Sequence, residues 1–222
     1  MKGKLIIIEA GDGSGKATQT KALFEHLERD GRHVHRVEFP DYEADGSMLV
    51  RMYLRGDFGG RAEDVNAYAA STFFAADRFA SYRLKWQKYY EAGDIILADR
   101  YTTSNMVHQA VKLSDRAERK AFLDWLWDYE FVKLGLPVPD CVVFLDMAPE
   151  AADKLIAARA AETGRAKDIH EKDMDYLHRC HQAYLELAAQ YGWESVKCSV
   201  QGEPRSIEAI HADVYMAVQK YL

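Results

Sequence analysis

Residues 5–20 read LIIIEAGDGSGKATQT. A short apolar run meets three closely spaced glycines, then a lysine, then a stretch with helical spacing. A strand feeding a glycine-rich turn that opens a helix is a phosphate cradle. Glycine lets backbone N–H groups converge on an anion, and the helix N-terminus adds partial positive charge. Lys16 adds a full charge where the β- and γ-phosphates of a nucleoside triphosphate would lie. Gly11, Gly13, Ser14, Gly15, Lys16, Ala17 and Thr18 are therefore the expected triphosphate-binding residues, and ATP the expected ligand.

The loop departs from the strict G-x-x-x-x-G-K-S/T pattern. Ala10 stands where the first glycine belongs, and Ala17 where the Mg²⁺-ligating hydroxyl belongs. Thr18 cannot simply replace that hydroxyl, because successive helical residues point about 100° apart. Mg²⁺ is expected to arrive with the nucleotide, held mainly by phosphates and water, and no protein ligand for it can be named. Read alone, the loop also fits an ordinary glycine-punctuated turn.

A chain of 222 residues, 48% of them apolar, suits one domain over 1–222 with a substantial core. A net charge of −6 argues against nonspecific nucleic-acid binding, which needs cations that neutralise phosphates. Cys141, Cys180 and Cys198 form no C-x-x-C pair, so a disulfide framework or zinc site is not expected and a reducing cytoplasm fits. The N-terminus lacks a signal peptide's apolar core, and no long apolar run predicts a membrane span.

Outward from the first strand, strand candidates alternate with helical ones. The strands are 5–10, 33–39, 94–99, 141–147 and a weak fifth at 194–200. The helices are 16–29, 65–92, 116–134, 150–161, 171–191 and 205–221. Such alternation predicts an α/β fold with a five-stranded parallel sheet flanked by helices on both faces. Ligands of such sheets bind beyond the carboxyl ends of the strands. Gly11 to Lys16, Phe39-Pro40-Asp41 and Asp99-Arg100-Tyr101 occupy those positions.

Six ordered stretches carry a resemblance: EAGDGSGKATQ (9–19), FP (39–40), FFAADR (73–78), DRYTTSNMVHQ (99–109), FLDMAPE (144–150), and a basic segment ending DIHE (168–171). Together they resemble the thymidylate kinases, P-loop enzymes that phosphorylate dTMP with ATP. The resemblance implies a three-layer P-loop NTPase fold with a short lid at about 159–171. It implies a homodimer with dTMP and ATP as substrates. It implies that Arg100 clamps the acceptor phosphate, where a guanidinium can make bidentate contacts. Asp99 then either orients Arg100 or holds Mg²⁺ through water. Phe74 and Arg78, one helical turn apart, match a pair that recognises thymine: Phe74 by stacking, Arg78 by donating to a pyrimidine carbonyl. Phe39 and Pro40 would wall that pocket, Asp12 would bond the acceptor's sugar hydroxyl, and Tyr101 would crowd the ribose 2′ position. Ser104 and Gln109 match positions lining the base and phosphate. His108 falls where an aromatic commonly sits, and reads otherwise as an exposed helical histidine. Some relatives carry an arginine inside the loop where this chain has Gly13, so the missing charge is expected from the lid, Arg165 first and Arg159 second.

Two other functional readings fit parts of the chain. One is a kinase of the same fold for another nucleoside monophosphate or a deoxynucleoside. A cytosine site would ask for an acceptor rather than Arg78 opposite the exocyclic amine. The other is a nucleotide-binding switch or a scaffold with a vestigial loop, suggested by Ala17, which leaves a second pocket at 73–109 without purpose.

Overall fold

A computed structural model describes the backbone of residues 2–163 and 174–222, and the side chains of 2–156 and 174–222. Five parallel strands form its sheet: β1 (Lys4–Glu9), β2 (Val34–Glu38), β3 (Ile95–Asp99), β4 (Cys141–Asp146) and β5 (Glu194–Lys197), in the order β2-β3-β1-β4-β5. β1 is central because it is apolar on both faces. Ile6 and Ile8 enter one core cluster, with α1 (Lys16–Arg29) and α9 (Ile207–Gln219). Leu5 and Ile7 enter another, with Tyr82, Trp86 and Tyr90. This two-residue alternation is the strand's own periodicity turned into two packed layers. The chain places β2 and β3 on one side of β1 and then crosses to β4 on the other. The order reverses at β1, and the crevice beyond its carboxyl end is where such sheets bind ligands.

The structure departs from the sequence expectation in places. The helix expected over 65–92 starts at Ala67, where the Asn66 side chain accepts from Ala69 N–H at 2.8 Å, and runs as α3 to Ser81. A π-helical turn, Tyr82–Trp86, then leads into α4 (Gln87–Ala92). The helix expected over 116–134 is α6 (Arg116–Trp127), followed by a second π-helical turn, Asp128–Lys133. α2 (Met48–Arg55) and α5 (Thr102–His108) were not foreseen. α5 is buried on every side, so it has no amphipathic stripe to read. The weak strand at 194–200 breaks at Cys198. Its last two residues are β6 (Ser199–Val200), paired antiparallel with β7 (Glu203–Pro204) around Gln201 and Gly202, both at positive φ. α7 (Pro149–Thr163) takes in the first residues of the 159–171 segment, and α8 (Met174–Tyr191) follows it. Arg165 and the side chain of Arg159 lie outside the described residues, so the lid expectation does too.

Candidate active site

The loop between β1 and α1 is built as a cradle. Gly15, at the α1 N-cap with φ 73°, offers no side-chain cap, and the first turn holds no acidic residue. The leading N–H groups of α1 are thus left for an outside anion. Gly13 has φ 74°. A methyl group there would lie 2.6 Å from Ile156 Cγ1 and 2.7 Å from the Ala152 carbonyl of α7. No larger side chain, arginine included, fits at position 13 without moving α7. Ala10 is fully buried in the core, where a methyl packs well.

Two ion pairs tie this loop to the end of β3. Lys16 Nζ lies 3.1 Å from Asp99 Oδ1, and Arg100 Nη2 donates to Asp12 Oδ1 at 2.6 Å. Asp99 therefore partners Lys16, and Asp12 is the carboxylate that orients Arg100. Neither arrangement was read from the sequence. Arg100 sits at φ 68°, rare for a side chain of its size, and its N–H is held by the Ile8 carbonyl at 3.1 Å. Its Nη1 lies 3.3 Å from Ser104 Oγ, 3.4 Å from the Tyr184 hydroxyl and 3.5 Å from His108 Nε2. Burial alone would disfavour its charge, but Asp12, Tyr184, Glu9 and Asp99 outweigh that and hold its pKa well above the usual arginine value.

Behind Arg100 stands Glu9, the last residue of β1 and fully buried. Its Oε1 accepts from the Thr103 and Ser104 hydroxyls at 2.8 and 2.7 Å, and its Oε2 from the Tyr184 hydroxyl at 2.9 Å. Because Ser104 and Tyr184 spend their protons on Glu9, they turn lone pairs toward the guanidinium. The Tyr184 hydroxyl is held protonated by burial and by Glu9.

Asp12, Phe39, Pro40, Phe74, Arg78, Arg100, Tyr101, Ser104 and Gln109 all line one cleft of about 540 Å³, counting its solvent-open mouth. Nine of the ten acceptor-site residues named from the sequence are thus brought together, and only Asp99 stands outside. The Phe39–Pro40 bond is cis, and the Asp41 N–H beyond it is held by Asp77 Oδ2 at 3.0 Å. Tyr101 is fully buried and its hydroxyl donates to the Pro137 carbonyl at 3.1 Å, so only its ring can face a ligand. Arg78 is bound to Glu130 within the core. Gln109 is fully buried, and neither amide atom finds a partner among the described residues. His108 is buried rather than exposed: Tyr176, Tyr184, Cys180 and Arg100 surround its ring. A second cleft of about 430 Å³ runs from Gly11 and Ser14 toward α7 and α8, and shares Asp12 and His108 with the first. These two residues stand where the clefts meet.

Sequence reasoning missed Leu54, Asn105 and the lining role of His108, together with the supporting Glu9, Glu130 and Tyr184. A signal existed for Glu130. It continues the buried stripe of Phe122 and Leu126 at four-residue spacing, and a carboxylate on an apolar stripe needs an explanation.

A triphosphate cradle joined at one sheet edge to a cleft with its own buried arginine defines a P-loop kinase acting on a small phosphorylated acceptor. The sequence profile described as Thymidylate kinase matches residues 8–214. The chain belongs to the thymidylate kinase family. It is 37% identical over 191 residues to the thymidylate kinase of Mycobacterium tuberculosis, covering 85% of this chain and 87% of that protein. It is 28% identical over 214 residues to the human thymidylate kinase, covering 96% and 88%. A solved thymidylate kinase structure from Candida albicans superposes with a TM-score of 0.73 at 21% identity, over 99% of this chain and 92% of that one, a likeness of fold.

Proposed function

We propose that this chain transfers the γ-phosphoryl group of ATP to dTMP, giving dTDP and ADP. The observation that carries the reading is the meeting of two clefts at Asp12 and His108, one lined by Gly11 and Ser14 of the glycine-rich loop and the other by Arg100, with Lys16 at the start of α1 paired to Asp99. Phosphoryl transfer needs positive charge and in-line placement of two anions, with little covalent help from protein. Lys16 would leave Asp99 for the β- and γ-phosphates, and Arg100 would present its fork to the acceptor phosphate. Phe74 would stack on the base beneath Phe39 and Pro40, and Arg78 would meet its carbonyl edge. Family membership and this second cleft speak against an ATP switch or a vestigial scaffold.

The residues present do not make a protein-built Mg²⁺ site. Among the described residues no three carboxylate, histidine or cysteine groups cluster for a metal, Ala17 has no hydroxyl, and Asp99 is drawn to Lys16. Mg²⁺ enters this proposal only as an ion carried by ATP's own phosphates and water. A cation from the 159–171 segment, Arg165 or Arg159, remains our candidate for charge beside the transferring group.

The whole chain would act as one kinase domain in the cytoplasm and as a homodimer. Its three cysteines are free and buried, which supports a reducing compartment, and no helix among the described residues is long and apolar enough to cross a membrane. Among the aromatics of α3, α6 and the π-helical turns, Tyr82 and Trp86 belong to the core. Phe79 and Trp127 stay exposed, as do Leu84 and Val132. The test of function is acceptor profiling with ATP and Mg²⁺. dTMP should give dTDP at a rate at least ~10²-fold above a Lys16→Ala control, since one lost charge at a phosphoryl group costs about that much. Equal rates for the two proteins would refute the proposal.

A further inference from the structure

Arg78 and Glu130 form a buried fork, 1% and 0% exposed, between α3 and the π-helical turn after α6. Arg78 Nε donates to Oε2 at 2.7 Å and Nη2 to Oε1 at 2.5 Å, and the Thr102 hydroxyl donates to Oε2 at 2.7 Å. Two-point contact along one side of a planar guanidinium removes its freedom to swing about the last side-chain bonds. It also decides what is left over. Nη1 has no hydrogen-bond partner among the described residues and is not sealed from solvent, while Arg78 itself lines the acceptor cleft. The cleft is therefore offered N–H donors in a fixed direction at that point.

We propose that Glu130 is a positioning residue that sets base selectivity: by fixing the Arg78 fork, it admits a pyrimidine with a carbonyl at that edge and rejects one with an amino group there. A 4-oxo pyrimidine accepts the aimed N–H. A 4-amino pyrimidine brings donors against donors, and both sides lose hydrogen bonds to water without replacement. Were Arg78 unpinned, its long side chain could turn aside and let the amino base in. The inference rests on the proposed recognition role of Arg78.

The experiment compares wild type with Glu130→Gln, Glu130→Asp and Arg78→Lys, using ATP with dTMP or dCMP. Steady-state kinetics are read beside calorimetric binding of each monophosphate without ATP. In Glu130→Gln we expect KM and Kd for dTMP to rise several-fold and kcat to stay within about threefold. The ratio of kcat/KM for dTMP over dCMP should fall at least ~10-fold, with KM for ATP unchanged. Glu130→Asp keeps the charge but shortens the reach, and should give an intermediate ratio. It also supplies the test if the glutamine variant fails to fold. An unchanged ratio in whichever of these variants folds, with activity toward both acceptors lowered equally, would make Glu130 purely structural and overturn the inference. Arg78→Lys separates the two layers. If it keeps the wild-type ratio, the assignment of Arg78 fails and the Glu130 inference with it. If it loses the ratio while folded Glu130 variants keep it, the Glu130 inference alone is wrong.

Discussion

At position 13 the chain accepts nothing larger than glycine, for two independent reasons. The backbone is left-handed, and α7 occupies the space where Cβ would point. Gly13→Ala should therefore lower stability by about 2–3 kcal/mol and weaken ATP binding, read by denaturant unfolding and by calorimetry. Glu9 shapes its surroundings through hydrogen-bond direction. Replacing it with glutamine turns one acceptor oxygen into an N–H donor, so either Tyr184, or Thr103 and Ser104 together, must redirect their protons, and those of Tyr184 and Ser104 then compete with the guanidinium of Arg100. Glu9→Gln is expected to raise KM for the acceptor about 10-fold, and adding Tyr184→Phe, which removes the misdirected proton, should recover part of that loss. Additive losses in the double variant would contradict this account. The glycines, Lys16 and Arg100 were legible from sequence because chemistry demands those types at those places. The partners of the charged groups were not. Asp12 and Asp99 stand beside the cations of each other's segments, and only the folded register of Ile8 against Asp99 reveals which pairs with which.

Elements with a one-sided apolar pattern were the legible ones. β1 reads as an unbroken apolar run because both its faces are buried, and α1 and α6 show their buried face in their spacing. α5 does not, because its seven residues are all buried and mostly polar, satisfied by Glu9, Glu130 and Ser71 rather than by apolar packing. The short helical turn after it, Ala110–Lys112, ends on a lysine that fastens the loop before α3. Lys112 Nζ lies 2.8 Å from the Val65 carbonyl and 3.1 Å from the Tyr53 hydroxyl. Burial lowers its pKa to about 8, despite Glu63 and Cys180 pulling the other way. A lysine depressed in the folded state binds its proton more readily when unfolded, so stability rises with pH through the window from about 8 to the unfolded value near 10.5. Wild type should gain about 1–2 kcal/mol over Lys112→Met across that window, measured by chemical denaturation at its two ends.

On the scale of the whole molecule, the first and last helices are joined by a histidine pair. His26 Nδ1 of α1 and His211 Nε2 of α9 are 2.8 Å apart, and Tyr215 stacks on His26 at 3.8 Å. Burial, His26 and Arg29 together lower the His211 pKa. The unfolded chain therefore takes up a proton here that the native state resists, and stability falls as pH drops below about 6.5. His211→Gln should lose less stability than wild type between pH 7 and pH 5, and an identical loss in both would rule the pair out as a source of acid sensitivity. The five-stranded parallel sheet and its ligand-binding end followed from β-α alternation read along the sequence, whereas the order of its strands did not. This clamp between the chain's ends did not, since nothing local to residue 26 announces residue 211.

The two pairs that join the glycine-rich loop to the strand end have a consequence for what the resting protein will take up. Each cation already rests against a carboxylate, so an incoming anion that draws either one fully to itself must loosen that pair. Orthophosphate or sulfate brings only charge to that exchange and gains little. A nucleotide brings ring and sugar as well, and can cover the cost of displacement. Complete nucleotides are thus expected to bind ahead of loose inorganic anions.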